Sequence, residues 1–577
     1  MLATAALLAL AIFGYPLLLG IPLIDPDEGL HGAIAQEMVE RGDWVTPRFL
    51  GQPFLDKPVF YTWTQAISLK CLGMNEAGVR LPGLVFGFLA MLTTGLLAWR
   101  MFGRTTGVVA AIFYATMVMP TALAQVAAHD VALIPWINMA VLLFWEADRV
   151  TTHRKSLALA TLTGLFLGLA CLTKGLVGIG LVGTAYGLYL LLTRRLTVAA
   201  CVRGAIALTV AALVASSWYV AMERRNPGYL HYYFVDRHLL GFATETQRHG
   251  HQPFWYYVPI LLGGGLPWII YLPVAVRDWW ASWTGQRPGA LSARKLAAAL
   301  AARVERPSSL EPDQGGAALL WCWLLGCTIL LSIANSKLVT YIWPVFPPMA
   351  VLAARVWGRR LEGRLNVAAQ AWFTWCLGPS TVLAPLVLPV GMCLAEAVLG
   401  IRFGGAQWAL GMAAALTAWT TLPFWRRGHY RGVLISGTLS MAVQFAAGMA
   451  LAAPPFAAVN TARDLARYFN RLGRVPAQVI VIDERVGSVV FYLDPNIRRS
   501  LKSGQLESVG AADLRSMQPR DSDRLIVLAD WNAPKASQYC DLNGLAFQRW
   551  GPYRLFTPLK SESLPCTAVR GSSCMLR

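Results

Sequence analysis

Charge is what this chain lacks. Of its 577 residues only 14% are Asp, Glu, Lys or Arg, whereas a soluble globular protein carries about 25%. With 56% hydrophobic residues and a mean hydropathy of +0.47, the shortage excludes a soluble fold and indicates an α-helical integral membrane protein. Acids are scarcer than bases, 31 against 50, giving a net charge of +19. In a soluble chain that excess would suggest nucleic acid. In a membrane chain Lys and Arg gather in cytoplasmic loops, so no nucleic-acid partner is expected. The first apolar segment, Leu2 to Ile24, lacks a basic leader and a small-x-small cleavage site, and Asp25-Pro26-Asp27 follows it directly. It reads as a retained span, not a removed signal. Cysteine is mostly absent from polar stretches: seven of the ten lie in or beside apolar segments, where they act as small hydrophobes. No repeat relates the two halves of the chain.

A bilayer span needs roughly 20 mostly apolar residues. On that basis the sequence predicts thirteen spans, near 3–23, 82–99, 105–122, 131–147, 156–172, 176–192, 204–221, 255–275, 317–334, 338–354, 370–393, 408–424 and 432–453. Alternate connections carry the bases: Arg100 and Arg104; Arg149, Arg154 and Lys155; Arg194, Arg195 and Arg203; Arg277 through Arg306; Arg355 through Arg364; Arg426, Arg427 and Arg431. The short connections between them carry only Lys174, Lys337 and Arg402. By the positive-inside rule the first set is cytoplasmic, which puts the N-terminus inside. The transmembrane region is then 1–453, with long external connections at 25–81 and 222–254. The cytoplasmic stretch Lys295 to Arg303 reads as a basic surface helix on anionic lipid.

From Pro454 the character changes. Val479–Ile482, Val489–Leu493 and Leu525–Leu528 are short β-type runs, and a helical pattern covers Thr461 to Leu472. Residues 454–577 read as a small α/β domain, external after thirteen spans, in a compartment that permits disulfides. Cys566 and Cys574 are one candidate pair, with Cys540 spare.

Because acids are rare, the stretch Asp25–Pro58 stands out. It holds Asp25, Asp27, Glu28 and His31, then a helical pattern Gly32–Arg41 expected to lie on the membrane surface, then Asp56-Lys57-Pro58. A long external loop of this kind is usually functional. Helix capping explains one of its acids but not three together with a histidine. Lys57, fixed between Pro53 and Pro58, and Lys174 and Lys337 all fall at the external face, where together they suit an anionic head group. Lys337 and Tyr341, four residues apart, would share one helical face. Asp130 begins an external span end, either as a cap or in the site. His238, His249 and His251, with Asp56 or Glu28, could hold a divalent metal such as Zn or Mn/Mg. The metal set singled out is Asp56, His249 and His251.

Taken in order, these residues resemble a known family. Asp27-Glu28, Phe54-x-Asp56-Lys57-Pro58, Val79-Arg80-Leu81-Pro82, Leu172-Thr-Lys-Gly175, Pro253-Phe-Trp-Tyr-Tyr-Val-Pro259 and Ser336-Lys-Leu-x-x-Tyr341 are similar to the GT-C superfamily of lipid-linked-sugar glycosyltransferases. Within it, the nearest resemblance is to the bacterial lipid A aminoarabinose transferases and their protein O-mannosyltransferase-like kin. The resemblance implies passage of a sugar from a polyprenyl-phosphate carrier to a lipid or glycan acceptor, lipid A first, at the periplasmic face of the bacterial inner membrane. It implies catalytic roles for Asp27 and Lys57, and substrate contacts for Glu28, His31, Asp56, Arg80, Asp130, Lys174, Lys337 and Tyr341. Two departures touch recognition. Leu30-His31 replaces the family's Arg-Tyr, and His238-Leu-Leu-Gly241-Phe242 replaces its His-x-x-Arg-Phe. A protein or other envelope glycan is the alternative acceptor. A transporter or flippase of an anionic lipid is the alternative of another class, although its polar site would sit near the bilayer midplane.

Overall fold

The computed structural model describes residues 2–240, 252–284, 312–400, 402–483, 486–502, 504–510, 524–537 and 547–556. They fall into two compact units, Met1–Thr461 and Ala462–Arg577.

The first unit is helical, and each of the thirteen predicted apolar segments is wholly or mostly helix in it. By length and hydropathy, seven helices among the described residues are able to cross a membrane, or nine when each of two bent pairs counts as one span. Most of the shortfall from thirteen has local causes. The pair Arg104–Thr116 (α5) and Val118–Ala124 (α6) bends by 66°. Phe254–Gly264 and Trp268–Ala281 are set at 100°, around Gly265-Leu266-Pro267, where proline cannot continue the ladder. The two breaks meet: the Val118 N–H donates to the Leu266 carbonyl at 3.1 Å, and the Trp268 indole donates to Thr116 Oγ1 at 2.7 Å. Leu2–Ala9 (α1) passes through π and 3-10 turns to Leu18, and Val177–Leu192 (α9) is short, so neither meets the length test alone.

Between them lie Glu76–Phe102 (α4), His129–Ala147 (α7), His153–Lys174 (α8) and Val198–Arg225 (α10). Two devices hold these helices together without help from water. Asn138 on α7, fully buried, donates to Thr93 and Thr94 of α4 at 3.0 Å. Gly164 on α8 lets α10 approach so closely that a Cβ would come within 2.6 Å of the Ala207 carbonyl, the small-residue packing expected between membrane helices.

In the long connection at 25–81, Asp27–Arg41 (α2) leads to a two-residue hairpin, Arg48–Phe49 (β1) with Gln52–Pro53 (β2), and then to Phe60–Leu72 (α3). The predicted surface helix Gly32–Arg41 thus begins five residues earlier. It does not lie open on a membrane surface, because Gly29, His31 through Gln36 and Met38 are buried within the protein. At the second long connection α10 runs to Arg225, and a π-helical segment occupies His231–Leu240.

The second unit holds a five-stranded sheet in the order β4-β3-β5-β7-β6. Leu506–Val509 (β4), Gln478–Ile482 (β3) and Arg524–Ala529 (β5) run parallel, while Tyr553–Phe556 (β7) and Gln548–Trp550 (β6) add antiparallel edges. The predicted runs Val479–Ile482 and Leu525–Leu528 are strands. Val489–Leu493 is not: Gly487–Tyr492 forms a helix that buries Val489, Val490 and Phe491. An apolar run this short is ambiguous between buried strand and buried helix, and packing overrode its β-branched composition. Cys540, Cys566 and Cys574, and the basic stretch Lys295–Arg303, lie outside the described residues.

Candidate active site

The neighbours Asp27 and Glu28 open α2 and meet opposite fates. Asp27 is exposed on the first turn, where the helix dipole favours an anion. Glu28 is 0% exposed. It accepts from Arg80 Nε at 2.9 Å and Arg80 Nη2 at 2.6 Å, from the Ile24 N–H at 2.9 Å and from the Ala127 N–H at 3.0 Å. Arg80, also buried, donates further to the carbonyls of Ile21 and Pro22. Glu28 and Arg80, expected from the sequence as substrate contacts, are found paired with each other. Their hydrogen-bonding capacity is used on each other and on backbone, so they join the start of α2, α4 and the turn before α7.

That turn delivers His129 and Asp130. Asp130, 8% exposed, forms an ion pair with Lys174 at the end of α8, also 8% exposed. The Lys174 ammonium stands 4.2 Å over the ring of Tyr341. Next to Lys174, Gly175 adopts φ +70°, and a Cβ there would come within 2.6 Å of His238 Nε2 and 2.7 Å of the Tyr233 hydroxyl. Only glycine fits this approach, which seats the π-helical segment against Lys174.

The segment carries Arg237, which donates to Asp56 at 2.9 Å, and Tyr232, whose hydroxyl donates to the same carboxylate oxygen at 2.7 Å. Asp56 thus orients a cation beside Lys57. Burial in this crowded corner, then the positive charge of Lys174, lowers the Lys57 ammonium to about 8, with Arg237 acting the same way and Asp130 and Asp27 opposing. His238, whose Nδ1 lies 2.7 Å from the Tyr233 carbonyl, is likewise held below the usual imidazole range, first by burial.

Lys57, Lys174, Arg237, Asp27, Asp130 and Tyr341 are therefore one cluster, with His31 and Asp56 at its wall. Lys337 is differently engaged. It is buried and donates to the Gln252 carbonyl at 2.9 Å. It does not share a helical face with Tyr341, because residues 334–338 are not helical and Tyr341 lies on a 3-10 turn, Val339–Val345. Sequence reasoning missed Arg237 and Tyr232 as site residues. The signal available was the density of aromatic and charged residues in the second loop, without a partner assigned to each. No group of three His, Cys, Asp or Glu side chains is placed to hold a metal among the described residues. His249 and His251 lie outside them.

Residues 56–220 match the family model of dolichyl-phosphate-mannose-protein mannosyltransferases. Several bacterial proteins named undecaprenyl phosphate-α-4-amino-4-deoxy-L-arabinose arabinosyl transferase are similar over longer stretches. The one from Edwardsiella ictaluri is 30% identical over 424 residues, 70% of each chain. That from Aeromonas salmonicida is 30% identical over 410 residues, 70% of this chain and 68% of the relative. With the Pectobacterium carotovorum protein, at 30% identity, the chain spans 62% of the relative's length. Among solved structures, ArnT from Cupriavidus metallidurans bound to undecaprenyl phosphate superposes with a TM-score of 0.71 at 19% identity, over 98% of this chain and 99% of that one. Its apo state gives 0.70 at 20% identity. At that identity the likeness establishes the fold, an integral membrane helical unit followed by a small α/β unit.

Proposed function

We propose, from the premise that this chain belongs to the undecaprenyl phosphate-α-4-amino-4-deoxy-L-arabinose arabinosyl transferase family of GT-C membrane glycosyltransferases, that it passes an aminoarabinose-type sugar from a polyprenyl-phosphate carrier to lipid A. The observation that carries the reading is the cation cluster of Lys57, Lys174 and Arg237 close to the exposed carboxylate of Asp27.

Transfer breaks the bond between the anomeric carbon and the carrier phosphate oxygen, and the electron pair leaves with the phosphate. Charge that grows on the leaving group is best met by fixed cations in a partly dry site. Lys57 and Arg237 are held for this by their surroundings, with Lys174 behind them. A new bond forms from the acceptor oxygen to the opposite face of the same carbon, so one displacement inverts the anomeric configuration. If the acceptor is a lipid A phosphate it is already ionised, and Asp27 then stabilises the oxocarbenium-like sugar or positions it. On a hydroxyl acceptor Asp27 would take the proton as general base.

The chain is a multi-pass protein of the bacterial inner membrane. The distribution of its basic connections supports a cytoplasmic N-terminus, with the Asp27–Lys57 loop and the C-terminal unit on the periplasmic side. The test is mass spectrometry of lipid A and other envelope glycans from cells carrying wild type or Asp27→Asn. Loss of a fixed sugar mass from lipid A supports the proposal. Unchanged lipid A with an altered glycoprotein or polysaccharide moves the acceptor. No difference anywhere overturns the transferase reading.

A further inference from the structure

His129 has no assigned part in the site described, yet it is placed like a member of it. It opens α7 immediately before Asp130 and is 2% exposed. Among the described residues neither of its ring nitrogens has a hydrogen-bond partner. Its ring packs at 4.3 Å on that of His31, 68° between planes, and at 4.8 Å on Tyr61. His31 in turn lies one turn beyond Asp27 on α2 and meets Phe54 at 6.2 Å, two residues before Asp56. Lys57 and Lys174 are within electrostatic reach of the His129 ring. The imidazole is therefore braced by two tilted rings, next in sequence to Asp130 of the charged cluster and within reach of its two lysines.

A buried polar group without a partner loses the hydrogen bonds that water would give it. Beside a charged cluster built to take a ligand, such a group can gain its partner from that ligand. A neutral imidazole presents one N–H donor and one acceptor nitrogen, which is what a sugar hydroxyl or amine needs in return. The phosphate is already served by ammonium and guanidinium groups, so the imidazole is left for the sugar.

We infer that His129, braced by His31, is a recognition residue for the donor sugar, binding a hydroxyl or amine on its ring. The inference rests on the transferase reading and assigns to that site the group that tells one sugar from another.

The test uses the full-length enzyme in detergent, with undecaprenyl phosphate-4-amino-4-deoxy-L-arabinose as donor and purified lipid A as acceptor. Turnover by wild type is read first, and its failure would remove the transferase reading and this inference together. His129→Phe keeps an aromatic ring against His31 and Tyr61 and deletes both nitrogens, whereas His129→Gln restores a donor and an acceptor. The donor KM is expected to rise about 10- to 100-fold in His129→Phe and to recover most of that in His129→Gln. The acceptor KM, and binding of undecaprenyl phosphate without a sugar, should stay within about twofold. His129→Leu carries the same expectation should the Phe variant not be recovered folded. A donor with a hydroxyl in place of the 4-amine tells the partners apart: the penalty persists if a hydroxyl is bound and vanishes if the amine is. An unchanged donor KM in both nitrogen-free variants, or a parallel loss of undecaprenyl phosphate binding, would overturn the inference and leave His129 as packing.

Discussion

Replacing Arg80 by Met should destabilise the membrane unit far more than any change at Asp27, although the two lie close together. Arg80 makes four hydrogen bonds, two to the Glu28 carboxylate and two to the carbonyls of Ile21 and Pro22. Methionine fills most of the same volume but leaves Glu28, 0% exposed, as an anion held only by the N–H groups of Ile24 and Ala127. Removing one member of a buried pair costs about 3–5 kcal/mol, because the remaining charge is uncompensated. The double change Glu28→Leu with Arg80→Met removes both charges and should recover part of that loss. It should not recover all, since two N–H groups and two carbonyls would stay unpaired. The assay is the apparent melting temperature of the purified protein in detergent, with Asp27→Asn as the exposed neighbour expected to melt like wild type. An Arg80→Met protein melting within a degree or two of wild type would refute the assignment of this pair as a structural clamp, and would return Arg80 to the list of substrate contacts.

Asp27→Asn should lower kcat by about 10²- to 10⁴-fold if the acceptor is a hydroxyl, and the split between kcat and donor KM, measured with purified protein, shows whether it positions the sugar instead. Lys57 gives a pH dependence of known sign. Its ammonium titrates near 8 in the free protein, below the usual lysine range, and the charged form binds phosphate, so donor KM should rise as pH passes about 8. Lys57→Arg, whose guanidinium stays protonated, should remove that limb, and a limb unchanged in this variant would assign it to another group. The same depression means that protons are released on folding at this site, so it makes stability rise with pH between about 8 and the unfolded lysine value of 10.5. Asp56→Asn should raise donor KM several-fold with little change in folding, because it weakens the hold on Arg237 and Tyr232. Titration of undecaprenyl phosphate into the two proteins reads that effect directly.

The membrane fold was legible because hydropathy and charge act over whole segments. The thirteen apolar runs are mainly helical, though seven to nine helices among the described residues are long and apolar enough to cross a membrane, since bends such as that at Gly265-Leu266-Pro267 and short helices interrupt the rest. The site was legible where a rare residue type gathered: acids are few, so Asp27 and Asp56 drew notice, and Lys57 came with them. What one sequence did not reveal was which of two adjacent acids faces water. Asp27 and Glu28 are about 100° apart on a helix, and the choice is made by Arg80, 52 residues away in sequence. Arg237 was hidden for the same reason, since its partner Asp56 stands 181 residues earlier. Lys337 and Tyr341 were misjudged by assuming an α-helical period where the chain forms an irregular strand-like approach and a 3-10 turn.

These long-range pairs also explain how a loop can hold a site steady. The loop at 25–81 is tied to the second long connection by a series of polar contacts. The Trp218 indole donates to the Val45 carbonyl at 2.9 Å, Asn226 donates to Thr46 at 3.1 Å, and Arg225 pairs with Asp43 at 2.6 Å. Asp56 then binds Tyr232 and Arg237. Trp218, Arg225 and Asn226 belong to the end of α10 or its cap, so the loop is registered against a membrane helix at three points before the π-helical segment begins. Two consequences follow for the chemistry. Lys57 and Arg237 come from different loops, yet their separation is fixed by Asp56 and not by chance encounter, as a phosphate site requires. And Asp27 is set from the opposite side, by the Glu28–Arg80 clamp, so the carboxylate and the cations are placed by independent supports. Damage to one support should therefore change kcat or donor binding selectively, whereas a site carried on a single loop would lose both together.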